Sequence, residues 1–532
     1  MKFIATVRTV SMLSLLFLAG ACKDFIDINA DPNNPTTPVL ELLLPATQVS
    51  MAGALRDVNQ GTSILMQQLY TSNTSRNFQD GTDYQQSWNG LYTQALNDIE
   101  IVIREGTRQQ RWDYVSIAKL EKAYIYSLMV DLWGDIPYTE ASQGNTVSDP
   151  GFETGETIYD KLFVLIDEAL ADANKGSFAI NPTTADIIYK GDKNAWIRMA
   201  NSLKLKMFNQ IRLVQRDKAI AGINALLTAN APLITTNAQD FSFRFGTTET
   251  PANRHPWHRS EYQAGKSYYM SQGFMERLFS TDDPRLRYYF YRQTPNYTVG
   301  FTPTGNGYFG RYTGDATAAP NDNALKATVG VYPAGGLYDN SPINNLTAAN
   351  VFVTNAGATS VPKVVTNTDG SGAGVFPFIT NAMVKFILAE AALTLGTTGD
   401  ARQLLQDGIA AHLNSVNTIS STSGNSAPAI PAATITAFVA NRAAQYDAAD
   451  AAGKLGVVMT QKYIALYGNG MEAYNDYRRT GLPALPAPIA PLNTFPLRLT
   501  YSVTELSTNA KVSDKADQLQ TAQQTTPVFW DK

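Results

Sequence analysis

The sequence predicts an all-α protein of paired helices with one loop-rich region; the spacing of the pairs resembles tetratricopeptide-like repeats but is not regular enough to assign them. In several long segments apolar residues recur every three or four positions, as in Ile117, Leu120, Tyr124 and Leu128. This is the period of a helix with one buried face. Near the carboxyl end, short glycine turns separate helical segments with alanine-rich faces, which is how tetratricopeptide-like pairs are built. Between about residues 241 and 378 the helical pattern is interrupted.

The first 21 residues are predicted to be a lipoprotein signal peptide. Residues 1–9 carry Lys2 and Arg8 and no acid, residues 10–19 are apolar apart from two serines, and small residues lead up to Ala21. A basic start, an apolar run and a small-residue end are typical of a secretory signal. The apolar run is about ten residues long, whereas a transmembrane helix needs about twenty.

Cys22 is the single cysteine of the 532 residues and directly follows Leu18-Ala19-Gly20-Ala21. This is the arrangement in which bacterial lipoproteins are cleaved before a cysteine that carries diacylglycerol. The alternative is ordinary cleavage that leaves a free or buried cysteine. Since no second cysteine exists for a disulfide, and a free exposed thiol is reactive, we expect Cys22 to be lipidated. Several acyl chains anchor a protein far more firmly than one.

Residues 22–40 are predicted to form an extended tether, and residues 41–532 a single helical domain. Asp-Pro, Asn-Pro and Thr-Pro pairs in the tether disfavour a helix. Asp24 and Asp27 resemble the export signal of lipoproteins on the outer face of the outer membrane, or are simply part of a solvated linker. The full 532-residue chain is 44% hydrophobic and 17% charged with a net charge of −4, which indicates a globular protein that does not attract nucleic acid.

Helix boundaries follow from caps and turns. Asp192 and Asp400 are predicted N-caps, the second close to a capping box with Gln403. Gly134 and Pro137 are predicted to end a helix. Further helices are predicted over 384–395, 401–413, 435–451 and 457–466, with a Ser/Asn/Pro-rich insert at 415–433 and one helix near 267–280 inside the loop-rich region.

Eight segments, in order along the chain, resemble the SusD/RagB family, especially its branch described as starch-binding and outer-membrane-associating. No single segment is decisive, but together they span the chain that follows the predicted signal peptide. They are CKDFIDINADPNNPTTPVLELLLPA (22–46), DLWGDIPYTEA (131–141), YDKLFVLIDEALADA (159–173), GDKNAWIRMANSLKLKM (191–207), DDPRLRYYF (282–290), FILAEAAL (386–393), QKYIALYGNGMEAYNDYRRTGLP (461–483) and TPVFWD (526–531).

The resemblance implies a SusD-like helical body whose loop-rich side carries a variable ligand surface. It implies a lipid-anchored protein of the outer membrane, facing the cell exterior, that covers a SusC-like TonB-dependent β-barrel transporter as a lid. Such proteins deliver oligosaccharides or peptides to the barrel and perform no chemistry, so we expect no cofactor and no nucleic-acid partner. Most of the shared segments are expected to encode fold: Glu472, Asp476, Arg478 and Arg479 are predicted to form a salt-bridged structural patch.

Enzyme motifs are not recognisable in the sequence. His255 and His258 flank a proline without a nearby cysteine, which disfavours a zinc site, and residues 367–374 (NTDGSGAG) are predicted to be a turn and not a calcium loop. The main alternative is a surface-anchored glycoside hydrolase, which would release reducing sugar and needs two carboxylates about 5–10 Å apart. A third possibility is an adhesin without a soluble ligand.

Two groups of aromatic and polar residues are predicted to contact a ligand. Sugar rings pack a C–H face on aromatic rings, and their hydroxyls need donors and acceptors. For each residue, packing under a loop is the competing explanation. The first group is Arg76, Asn77, Tyr84 and Trp88, with Tyr92 on the same face if that segment is helical; the second is Arg254, Trp257, His258 and Tyr262 with the loop residues Tyr308, Tyr312 and Tyr338.

Overall fold

A computed structural model describes residues 38–70, 80–176, 178–179, 185–263, 268–293, 307–315, 326–341, 363–425, 427–490, 494–512 and 526–532. The predicted signal peptide, Cys22 and nearly all of the predicted tether lie outside these ranges. The prediction of an all-α fold is confirmed, because helices dominate and the strands are short. The α-helices of the first half are α1 Leu40–Leu65, α2 Gln85–Gly90, α3 Asn97–Arg108, α4 Trp112–Trp133, α5 Gly155–Asp172, α6 Lys193–Gln210 and α7 Arg216–Thr228.

The second half of the chain adds short helices in the loop-rich region and long helices after it. The short ones are α8 Pro256–Glu261, α9 Gln272–Ser280 and α10 Leu286–Tyr289; the later ones are α11 Asn381–Leu395, α12 Ala401–Thr422, α13 Ala432–Ala448, α14 Ala451–Ala465, α15 Gly470–Thr480 and α16 Val503–Thr508. Helix α12 continues to Thr422. The prediction of a non-helical insert over 415–433 is therefore wrong for residues 415–422.

Consecutive helices pack as pairs: α4 on α5, α6 on α7, and α11 on α12. Helix α4 is buried on nearly every side and forms the centre of the amino-terminal half. It ends at Gly134, whose φ of +86° is a conformation that favours glycine. The predicted caps are confirmed: Asp192 accepts hydrogen bonds from the amides of Asn194 and Ala195, and Asp400 accepts from Arg402 and Gln403.

Strands occur as antiparallel pairs: β1 Leu69–Tyr70 with β5 Tyr269–Met270, β2 Ile136–Pro137 with β3 Phe152–Glu153, β4 Phe241–Arg244 with β8 Val375–Ile379, and β6 Phe290–Tyr291 with β7 Thr328–Val329. In the β4–β8 pair Phe241 lies opposite Ile379, with a register shift after Phe241. The rings of Phe241 and Phe378 lie 5.1 Å apart, and Phe241 is also 5.1 Å from the ring of Tyr124 in α4. The two ends of the loop-rich region are therefore joined to each other and packed onto the central helix.

A set of five ionic side chains, here called the buried charge cluster, ties α11, α14 and α15 together. The Glu390 carboxylate forms salt bridges with Arg212 and Arg479 at 2.8 Å each and with Lys462 at 3.5 Å. Asp476 is 2.7 Å from Arg479 and 2.8 Å from Lys462. All five side chains are nearly fully buried. The predicted structural patch is confirmed for Asp476 and Arg479.

The other two residues of that predicted patch have different partners. Glu472 pairs with Lys206 at 3.0 Å, and Lys206 also lies 3.0 Å from Asp131. Arg478 donates to the main-chain oxygens of Leu497 and Asp131. Asp131 further accepts from the indole of Trp530 at 2.9 Å, so the carboxyl-terminal segment is fixed to α4.

Candidate functional site

A cleft of about 340 Å³ opens beside the short helix α8 in the loop-rich region. Two loops and the helix contribute its walls, and the side chains are mostly polar. We call it the α8 cleft; it is lined by Glu249, Thr250, Arg254, His258, Arg259, Tyr262, Gln263 and Asn367. It thus brings together Arg254, His258 and Tyr262 of the residues predicted to bind a ligand.

Helix α8 begins at a proline and is capped by a neutral histidine. The ring Nδ1 of His255 accepts a hydrogen bond from the amide of Trp257 at 3.1 Å. Burial lowers the pKa of His255 to about 3, so the ring is uncharged at neutral pH and can accept this bond. The main-chain amide of His255 donates to the carbonyl of Gly372 at 2.8 Å. The helix is therefore fixed to the loop that forms the opposite wall.

Arg254 holds the two walls of the cleft together. Its Nε donates to the carbonyl of Thr247 at 2.8 Å and its Nη1 to the carbonyl of Asn367 at 3.0 Å. The loop that contains Gly372 packs closely against the aliphatic part of Arg254. This requires glycine at position 372, because its φ is +71° and an added Cβ would lie 2.7 Å from the Cβ of Arg254. Glu249 lies 3.7 Å from the same guanidinium.

His258 and Tyr262 stack on each other one helical turn apart, with ring centroids 4.4 Å apart and an interplanar angle of 13°. The Nε2 of His258 lies 2.9 Å from the carbonyl of Asp369, which can only accept, so this nitrogen carries the hydrogen. Burial lowers the pKa of His258, against the opposing effect of that carbonyl. The Tyr262 hydroxyl donates to Val329 at 2.8 Å, and burial raises its pKa. Both rings are uncharged at neutral pH and fixed in place.

The other predicted residues of the second group lie away from the α8 cleft. Trp257 is buried, with its ring 5.4 Å from that of Tyr467. Tyr308 is buried and donates to Asp339 at 2.7 Å. Tyr312 donates to Glu276, and Tyr338 packs on Tyr288 with ring centroids 4.8 Å apart. Contact of these four residues with a ligand stays a prediction.

Of the first predicted group, Arg76 and Asn77 lie outside the described residues. Trp88 is 2% exposed and its ring lies 5.4 Å from that of Trp133 and 5.1 Å from that of Tyr92. Tyr84 packs over Gly61 of α1, where an added Cβ would lie 2.4 Å from the tyrosine oxygen. In the described structure this aromatic face is part of the core; ligand contact by Tyr84 and Trp88 stays a prediction.

Five residues that line the α8 cleft were not predicted to bind a ligand: Glu249, Thr250, Arg259, Gln263 and Asn367. Arg259 lies within the segment RHPWHRSEY and was a detectable candidate, because arginine is a common partner of polar ligands. Glu249 and Asn367 lie in separate loops with no pattern of their own. Only the folding of those loops onto α8 brings them together.

The region 367–374 is a turn, as predicted. Asp369 accepts from the amide of Thr366 at 2.9 Å and pairs with Lys363, so its carboxylate is already engaged. Within the described ranges no group of three or more histidine, cysteine or acidic side chains is arranged to hold a metal ion. In the same part of the chain, no helix combines the length and apolarity required to cross a bilayer.

A second, shallower groove of about 560 Å³ lies over helices α5, α6 and α7. Its centre is the stacked pair Phe163 and Phe208, with centroids 4.4 Å apart. Its charged residues pair with one another: Lys204 with Asp167 at 2.7 Å, and Lys218 with Asp160. These polar groups already have partners, whereas Arg259, Gln263 and Asn367 of the α8 cleft have side chains without a polar partner in the part of the chain that the structure describes.

Comparison with known proteins identifies the fold and the family. A family model described as "starch-binding associating with outer membrane" matches residues 32–502. No curated protein sequence gives a significant match. Among solved structures, a chitin-binding protein superposes with a TM-score of 0.70 at 20% identity, covering 93% of this chain and 100% of that one.

Two further solved structures agree. A SusD homolog from Bacteroides fragilis has a TM-score of 0.67 at 18% identity and covers 93% of this chain and 99% of its own. A chitin-binding SusD homolog from Flavobacterium johnsoniae has a TM-score of 0.66 at 20% identity, covering 92% and 98%. At these identities the structures establish a shared fold, and the family model covers most of the sequence. The chain therefore belongs to the SusD-like family.

Proposed function

We propose that this protein is a surface lipoprotein of the outer membrane that binds an oligosaccharide in the α8 cleft and delivers it to a SusC-like TonB-dependent transporter, which it covers as a lid. The observation that carries the proposal is the family match over residues 32–502, whose description names starch binding and the outer membrane. Two structural relatives are named for chitin binding, which supports a glycan over a peptide.

The chemistry of the α8 cleft suits a sugar. Asn367 and Gln263 carry amides that both donate and accept, and neither side chain has a hydrogen-bond partner among the described residues. Sugar hydroxyls need such paired donors and acceptors. The stacked rings of His258 and Tyr262 give the cleft a fixed wall, so little side-chain ordering is required when a ligand binds.

Binding without catalysis fits the same lining. Glycoside hydrolysis needs two carboxyl groups about 5–10 Å apart on either side of the scissile bond. Among the residues that line the α8 cleft, Glu249 alone carries a carboxylate. Transport would then depend on movement of the lid relative to the barrel, with ligand favouring the closed arrangement.

Removing the two amides of the cleft should weaken glycan binding without destabilising the protein. The double variant Asn367→Ala, Gln263→Ala deletes groups that bond to no described residue, so folding loses nothing while the ligand loses hydrogen bonds. We expect about a tenfold or greater rise in Kd, from bonds of about 1 kcal/mol each. Calorimetry with a glycan identified on an array measures this.

The matched control is Asn414→Ala, which replaces an exposed asparagine of α12 that does not line the cleft. It should bind the glycan as the wild type does. Equal affinity for the double variant and the wild type would place binding elsewhere, and release of reducing sugar by the purified protein would contradict the binding role and favour the hydrolase.

Substitution of Cys22 tests the anchor. Cys22→Ala removes the thiol that would carry the acyl chains, so the protein should leave the membrane fraction and appear in the soluble fraction or the medium. Fractionation followed by immunoblotting measures the change, with Cys22→Ser as a second variant that keeps a polar side chain of similar size. Membrane retention of both variants would contradict lipidation at this position.

A further inference from the structure

The α8 cleft carries more positive than negative charge. Arg254 and Arg259 both line it, whereas Glu249 is the single acid of its lining. From this we infer that the cleft recognises a carboxylated sugar, a uronic acid unit within an oligosaccharide, and not a neutral sugar alone. The inference rests on the proposed glycan-binding function and names its substrate class.

Arg259 is the cation without a partner. Within the described ranges its guanidinium makes no hydrogen bond or ion pair, and it is exposed at the cleft. Glu249 does not neutralise it, because the acid lies 3.7 Å from the other guanidinium, that of Arg254. A guanidinium with five N–H donors and no acceptor is then free to bind an anion.

Two other charged side chains near the cleft pair with each other. Lys363 pairs with Asp369 on the loop behind His258. The rings of His255 and His258 are neutral at pH 7 because burial lowers the pKa of each. Among the residues that line the cleft, two arginines therefore face one glutamate, while Glu261 of the same helix is buried and does not line the cleft.

The two arginines differ in the hydrogen bonds that they make to described residues, which suits recognition of a planar acid. Arg254 is held by the carbonyls of Thr247 and Asn367 and so presents a fixed guanidinium. Arg259 is on the last turn of α8 and extends from it with no such restraint. A carboxylate matches the fork of a guanidinium in a bidentate fashion, and the paired amides of Gln263 and Asn367 remain for the hydroxyls.

The decisive probe is an oligogalacturonide compared with its fully methyl-esterified form, which keeps the sugar backbone and removes the charge. Calorimetry on the detergent-solubilised full chain should give at least about tenfold tighter binding for the free acid, because charge-assisted hydrogen bonds are about twice as strong as neutral ones. The preference should shrink as salt is raised. A glycan array and an acidic peptide of the same net charge are measured in parallel.

The variant Arg259→Gln should reduce the preference for the acid to within about threefold, while Glu249→Gln should increase it by removing a competing carboxylate. The control is Arg216→Gln, which replaces an exposed arginine at the start of α7 and should leave the preference for the acid unchanged. Equal binding of acid and ester, or binding of neutral glycans alone, would overturn the inference and leave the proposed function standing. Binding of the peptide with no glycan bound would overturn both.

Discussion

Replacing Glu390 with glutamine should reduce the free energy of unfolding by about 3–5 kcal/mol, since it leaves buried cations without their counter-charge. Burial alone would raise the pKa of Glu390, but Arg212, Arg479 and Lys462 outweigh it and hold the pKa well below its usual range. The carboxylate is thus ionised and accepts from all three. A glutamine of the same shape would place an amide donor against a guanidinium.

Urea unfolding at pH 7, followed by tryptophan fluorescence, measures this effect as a lower midpoint. Asp447→Asn is the matched control, because it breaks the Arg402–Asp447 pair, which has similar geometry at 2.7 Å but lies on the exposed surface. Exposed pairs contribute little, so the control should unfold with the wild type. If the Glu390→Gln protein were as stable as the control, Asp476 alone would be enough to compensate the positive charges of the buried charge cluster.

Replacing Glu121 with glutamine should make the protein more stable than the wild type at pH 8 and above. Burial raises the pKa of Glu121 to about 8, against the opposing hydrogen bonds of Thr47 and Gln48. The geometry fits a protonated acid: Thr47 Oγ1 lies 2.7 Å from both the Leu44 carbonyl and Glu121 Oε2. A protonated Oε2 donates to Thr47, which then donates to Leu44.

The direction of the pH effect follows from which state holds the proton. Below pH 4.5, the ordinary pKa of a glutamic acid in an unfolded chain, both states are protonated and the stabilising effect is complete. As pH rises towards about 8, only the folded state keeps the proton, so stability falls, by a few kcal/mol in total at about 1.4 kcal/mol per pH unit. Asp240, whose pKa burial raises to about 7, acts in the same direction.

Glutamine at position 121 reproduces the hydrogen bonds of the protonated acid. Its amide nitrogen can donate to Thr47, and its oxygen can accept from Gln48, which in the wild type donates to Glu121 at 2.9 Å. The variant should therefore lose much less stability between pH 6.5 and 8.5 than the wild type, with the remaining slope due to Asp240. Urea midpoints across this pH range measure it, and Glu168→Gln, an exposed glutamate on α5, is the control. Parallel pH profiles for the wild type and Glu121→Gln would show that Glu121 is ionised in the fold.

The helical body could be predicted well from the sequence, because its signals are local. The 3.6-residue period placed the helices, and Asp192 and Asp400 marked the starts of α6 and α12 through hydrogen bonds to amides two and three residues on. The end of α12 was predicted too early, because Ser and Thr from position 415 onward have a low helix propensity that packing of α12 against α11 and α13 overrides.

The candidate site was predictable only in part. Arg254, His258 and Tyr262 share one short segment whose composition suggested binding, and the structure brings them to one cleft. Aromatic content alone did not separate a binding surface from the core, as the burial of Trp88 and Trp257 shows. Arg254 holds the loops that carry Glu249 and Asn367 at the cleft by donating to the main-chain carbonyls of Thr247 and Asn367, and such bonds depend on no particular side chain at the accepting positions.

The pairing of β4 with β8 has an evolutionary consequence. Since Phe241 and Ile379 are neighbours across the two strands, the chain leaves the helical body and returns to it at a single place. Insertions and deletions in the loops between these two anchor points therefore leave the spacing of the anchor points unchanged, so loop length on this side of the protein is uncoupled from the packing of the helices that hold both ends.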